Sequence, residues 1–127
     1  MKYSELNSLY WIKQDIKALE EELGELGVIG GNKIDNMPKS ANSNPDKIFN
    51  YIEKKNHIIR KLENKRNEFY NQLEKIENYI DAIEDHEISI IARRRFILCQ
   101  KWEDIGKEIN LDRTCCYRKI INYINKV

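Results

Sequence analysis

Proline and glycine are scarce in this chain of 127 residues, with 2 Pro and 5 Gly. Gly24, Gly27, Gly30, Gly31, Pro38 and Pro45 account for all but one of them. One stretch is therefore punctuated, and a chain loosened along its whole length is excluded. Cysteine is also sparse. Cys99, Cys115 and Cys116 are an odd number, two of them are adjacent, and none has a spacing to histidine that suits zinc. Free thiols in a reducing compartment are expected. His57 and His86 stand apart, with no nucleophile or metal-ligand constellation around either. No glycine motif suited to cradling phosphate is present, so neither catalysis nor a cofactor is expected. No apolar run approaches the ~20 residues of a membrane span, and the N-terminus has no apolar signal segment. A soluble, cytoplasmic protein without membrane contact is expected.

Charge, by contrast, is abundant. Charged residues are 34% of the chain and apolar ones 41%, a balance that suits long helices with one thin apolar stripe each. The net charge of +1 hides an asymmetry. Residues 1–85 hold 13 Lys and Arg against 16 Asp and Glu, and residues 86–127 hold 9 against 5. The C-terminal part is the basic one, as phosphate recognition requires.

Apolar periodicity predicts an all-α fold, an N-terminal helical hairpin or coiled coil (residues 1–84) followed by a helix-turn-helix domain (residues 85–127). Leu9, Ile12, Ile16, Leu19, Leu23 and Leu26 are spaced by alternating steps of 3 and 4, a heptad seam. Gly30 and Gly31 are expected to end this helix, with a loop over about 27–44. Pro38 biases Met37 towards an extended conformation. A second, much longer helix then begins, with Asn44 as a capping residue, Pro45 in the first position and Asp46 near the positive end of the dipole. Its seam is Ile48, Ile52, Lys55, Ile59, Leu62, Arg66, Phe69, Leu73, Ile76, Ile80 and Ile83. The first helix is too short to cover that stripe. Self-association through Ile59, Leu62, Phe69, Leu73, Ile76 and Ile80 is the preferred reading, as a dimer. A groove for a partner helix and a purely intramolecular hairpin are the alternatives.

Asp85 is placed to cap a third helix with Ile88, Ile91 and Ala92 on one face and Arg93, Arg94 and Arg95 near its end. The arginines suit phosphate or an acidic protein surface as well as a solvated helix end. A fourth helix spans Lys101 to Ile109, with Trp102, Ile105 and Ile109 on one face. Asn110 and Leu111 follow, and Asp112 caps a fifth helix that buries Cys116, Ile120, Tyr123 and Ile124. This is a helix-turn-helix pattern. Gly106 is the small residue that a close helix crossing needs, and Asn110 tolerates the left-handed turn conformation. Leu111 plugs the core from the turn. Arg113, Thr114, Tyr117 and Arg118 share the outward face near the start of the last helix, where a recognition helix enters the major groove of double-stranded DNA. Arg pairs bidentately with guanine, while Thr and Tyr touch thymine methyls or phosphate. Lys101 and Lys119 are expected to be phosphate anchors.

The segment from Asp85 to Ile124, with Ile91-Ala92-Arg93-Arg94-Arg95-Phe96 and Trp102-Glu103-Asp104-Ile105-Gly106, resembles region 4 of sigma-70-type factors. It is similar, more closely, to short phage and prophage regulators of the ArpU/RinA kind, as is Asp35-Asn36-Met37-Pro38-Lys39-Ser40. That resemblance implies a sequence-specific transcription regulator of phage late genes, working in a bacterial cytoplasm with the host RNA polymerase. The chain departs from the pattern at Asn110 and Cys115-Cys116. A small terminase subunit, which also joins a helix-turn-helix to an oligomerising coiled coil, is the alternative. A structural protein acting through the coiled coil alone is a third reading.

Overall fold

In a computed structural model, residues 1–36 and 45–126 are described, excepting the side chains of 27–36. Among them every regular element is helical: α1 (Tyr3–Leu6), α2 (Ser8–Asn36), α3 (Pro45–Asp81), α4 (His86–Ala92), α5 (Trp102–Ile109) and α6 (Arg113–Asn125). A π-helical segment, Arg93–Ile97, continues α4. The all-α expectation holds at this level. None of these helices is long and apolar enough to cross a membrane.

Two boundaries differ from those read in the sequence. A short first helix precedes the long one, with Asn7 between them and the Ser8 hydroxyl donating to the Glu5 carbonyl at 2.6 Å. The long helix does not stop at Gly30-Gly31 but continues to Asn36. Glycine inside a helix costs only about 1 kcal/mol each relative to alanine, which weakens a helix without forbidding it. Asn44 and the loop positions Met37 to Ser43 lie outside the described residues.

The chain divides into two compact units, Met1–Lys13 with Glu68–Val127, and Gln14–Asn67. The first thus draws on both sides of position 84/85. Its core joins Leu6 and Leu9 from the N-terminus to Ile76, Ile80 and Ile83 of α3 and its end. Ile91, Ala92, Phe96, Ile105, Cys116 and Ile120 complete it from the C-terminal helices. Lys13 ties the end of the π-helical segment. Its ammonium donates to the Ile97 carbonyl at 2.8 Å and lies 5.9 Å from the Phe69 ring centroid. Such a cation satisfies a carbonyl that a helix end leaves without an intrahelical partner.

In the second unit Ile58 and Leu62 are buried, and Lys65 pairs with Asp15 at 3.3 Å. The buried stripe of α3 departs from the heptad seam here. Counting back from Ile76, burial recurs at Leu73 and Gln72, Phe69, Lys65, Leu62, Ile58 and Tyr51. Below Leu73 half of the seam is offset by one residue, so that Lys65, Ile58 and Tyr51 are better covered than Arg66, Ile59 and Ile52, while Phe69 and Leu62 belong to both stripes. Ile58 is consequently buried in place of Ile59, which is half-buried, and Arg66 is exposed beside a half-buried Lys65. Ile48 and Ile52 have left the buried stripe and are 54% and 47% exposed, with Phe49 beside them at 60%. Of the six residues read as an oligomer seam, Leu62, Ile76 and Ile80 are buried by the chain's own packing. Ile59, Phe69 and Leu73 are half-buried.

Candidate nucleic-acid interface

α5 and α6 are joined through Asn110, Leu111 and Asp112. Asn110 takes φ 58° and ψ 43°, the left-handed conformation, and the Leu111 amide donates to the Gly106 carbonyl at 2.9 Å. A side chain with a short polar amide enters this region at lower cost than a bulky one. Gly106 is buried against the turn. A β-carbon there would run into the Leu111 carbonyl oxygen and lie 3.3 Å from the Arg113 nitrogen. The close approach read from the sequence is thus real, although it is made to the turn backbone and the start of α6. Leu111 packs against the core from the turn, and Cys116 and Ile120 are fully buried beneath α6, with Tyr123 and Ile124 beside them. Burial and the neighbouring Cys115 push the Cys116 thiol pKa up, so this sulfur is a neutral core group.

Arg113, Thr114 and Arg118 are nonetheless exposed in the first turns of α6. Arg113 also borders a shallow depression lined by Glu103, Gly106, Lys107, Asn110 and Asp112. Lys107, exposed in the last turn of α5, is a basic residue of this surface that the sequence reading passed over. Its position directly after Gly106 was the available signal. Lys101 is exposed at the N-cap of α5. Asp112 occupies the N-cap of α6, but its side chain makes no capping hydrogen bond. By contrast Asp85 accepts from the Glu87 and Ile88 amides at 2.9 and 3.1 Å and caps α4 as expected.

Two groups read as phosphate contacts are engaged by other residues of the chain. Lys119 pairs with Glu87 of α4, and that hydrogen bond holds its ammonium pKa above the usual lysine value. Engaged in this way, it is not a free phosphate anchor. The three arginines are also occupied by the fold. Arg93 pairs with Asp81 at 2.9 Å, and Arg94 approaches Glu108 at 3.9 Å. Arg95 donates to the Gln100 carbonyl at 2.9 Å, and its guanidinium lies 4.8 Å from the Trp102 ring centroid. Arg94 and Arg95 brace the joint between the π-helical segment and α5, where Cys99 takes φ 58°, while Arg93 ties that segment to the end of α3. Neither phosphate nor an acidic partner is needed to account for them.

Tyr117 is exposed yet not free. Its ring meets Trp102 edge-to-face at 5.5 Å and Tyr3 of α1 at 6.5 Å. Tyr3 in turn packs on Phe96 at 5.7 Å. The three cysteines are free thiols, and among the described residues no group of His, Cys, Asp and Glu is arranged to hold a metal. Comparison with protein-family models, curated protein sequences and solved structures finds no match for this chain. Function must therefore be read from the residues themselves.

Proposed function

We propose that α5 and α6 form a helix-turn-helix and that the chain is a sequence-specific DNA-binding regulator. The supporting observation is the pairing of a tight joint with a basic outer face. Gly106 and Asn110 allow the close turn, and Arg113, Thr114 and Arg118 are exposed in the first turns of α6 while Cys116 and Ile120 are buried. A recognition helix needs this division between a packed side and a side free to enter the major groove. Arg113 and Arg118 read base edges, Thr114 and Tyr117 make shorter contacts there, and Lys101 holds phosphate. The resemblance to phage regulators extends the proposal to late-gene control with the host polymerase. No catalysis and no cofactor enter it.

The test is a titration of an enriched duplex and its shuffled counterpart at several salt concentrations. Arg113→Ala and Arg118→Ala each weaken the enriched duplex by ~1–3 kcal/mol and narrow its advantage. Lys101→Ala weakens both duplexes alike and lowers the salt slope by ~1. Equal losses on both duplexes for the arginine variants would mean that α6 reads no bases, and a packaging or scaffolding role would then be favoured.

A further inference from the structure

The aromatic contacts around Tyr117 link the first helix of the chain to the outer face of the last. Tyr117 lies one turn beyond Arg113 on α6 and remains 44% exposed. An exposed tyrosine on a helix normally samples its rotamers freely. This ring instead has aromatic neighbours from two other elements. Trp102 stands perpendicular to it at 90°, and Tyr3 meets it at 73°. Each support is itself held. Arg95 lies over the Trp102 ring and is anchored to the Gln100 carbonyl. Tyr3 packs edge-to-face on the buried Phe96, and the adjoining Leu6 is fully buried. All these residues belong to the same compact unit.

We propose that Tyr3 and Trp102 are positioning residues that hold Tyr117 in one orientation on the DNA-reading face, with Arg95 fixing Trp102. The inference rests on the DNA-binding reading above. A ring fixed before binding loses no rotamer freedom on contact, and it presents the same edge to every duplex. It therefore contributes to discrimination between sequences, through a residue near the start of the chain that touches no DNA. The long-range phosphate attraction of Lys101 is independent of it.

The experiment uses the full chain, with a short duplex enriched by it from a randomised pool and a shuffled duplex of the same composition. Removing the Tyr3 ring with Tyr3→Ala is expected to weaken the enriched duplex about fivefold, the scale of one aromatic pair, and to leave the shuffled duplex unchanged. Tyr3→Phe keeps the ring and restores discrimination. Tyr3→Leu keeps apolar bulk for the core without the ring, so it melts near the unmutated protein and still loses discrimination. A second readout needs no DNA. The chain has 2 Trp, and in a Trp11→Phe background Trp102 is the sole indole. Tyr3→Leu should change its emission by releasing Tyr117 from the cluster, whereas Tyr3→Phe should not. If the Leu variant discriminates as well as the unmutated chain, or if its Trp102 emission is unaltered, the positioning role is overturned and the DNA reading stands. If no duplex is enriched, the DNA reading itself fails and this role falls with it.

Discussion

The two compact units cover their apolar residues to different degrees. In Met1–Lys13 with Glu68–Val127, side chains from both ends of the chain close on one core, and Leu6, Leu9, Phe96 and Ile105 are all at most 1% exposed. In Gln14–Asn67, Ile58 and Leu62 are buried while Ile48, Phe49 and Ile52 are about half exposed or more. Both regions carry apolar residues at helical spacing, and the seam of α3 runs from one into the other without a break. Periodicity states which face of a helix is apolar. It does not state what covers that face, and here the cover differs along one continuous helix.

The strongest way to sharpen this contrast is truncation of one phenylalanine in each unit. Phe96→Ala should cost ~3–5 kcal/mol of unfolding free energy, from lost burial and the cavity left behind. Phe49→Ala should stay within ~0.5 kcal/mol, since its ring is already largely in water. Denaturant titration of the two variants measures both, and similar losses would break the comparison.

A matched pair of glycine substitutions comes next. Gly106→Ala forces a β-carbon against the Leu111 carbonyl oxygen, and a backbone atom cannot rotate aside, so a loss of ~1–3 kcal/mol is expected. The same change at Gly24 meets nothing within 4 Å in the interior of α2 and should stabilise by about 0.5–1 kcal/mol through helix propensity. Opposite shifts of the melting temperature are the expected outcome, and shifts of one sign would contradict the close approach at the turn.

Smaller again is the difference between two aspartates that look alike in sequence. Asp85→Ala removes two hydrogen bonds to the start of α4 and should cost ~1 kcal/mol. Asp112→Ala removes no capping bond and should cost a few tenths of a kcal/mol at most. Thermal melts of the two variants separate these outcomes.

The smallest effect on the stability of the single chain belongs to Ile48 and Ile52, yet they bear on self-association. If a second copy covers the apolar face of α3, Ile48→Asp with Ile52→Asp shifts light scattering from dimer to monomer at micromolar concentration with little change in helicity. Ile76→Asp should instead unfold the first unit, because Ile76 is fully buried in it. A monomeric unmutated protein would remove the self-association reading.

Much of the candidate site was legible in the sequence because its determinants act over a few residues. Gly106 at the close approach, the left-handed Asn110, the Asp85 cap and the buried Cys116 and Ile120 each follow from backbone sterics or short-range spacing. The less legible features are pairings between distant positions. No pattern near Arg93, Arg94 and Arg95 reveals that Asp81, Glu108 and the Gln100 carbonyl engage them, nor does Lys119 announce Glu87.

By itself, then, the sequence determined the helical character of the chain, the Asp85 cap, the left-handed turn at Asn110 and the apolar face of each element, since these depend on local sterics and on periodicity. Tertiary structure alone decided which residues within that face are covered. Along α3 the covered stripe is offset by one residue from half of the heptad seam, so packing chose Ile58 over Ile59 and left Ile52 in water. It also brought Tyr3 against Tyr117, a contact between residues more than a hundred positions apart. Local chemistry cannot specify such a contact, because it becomes favourable only once the core beneath both rings has closed.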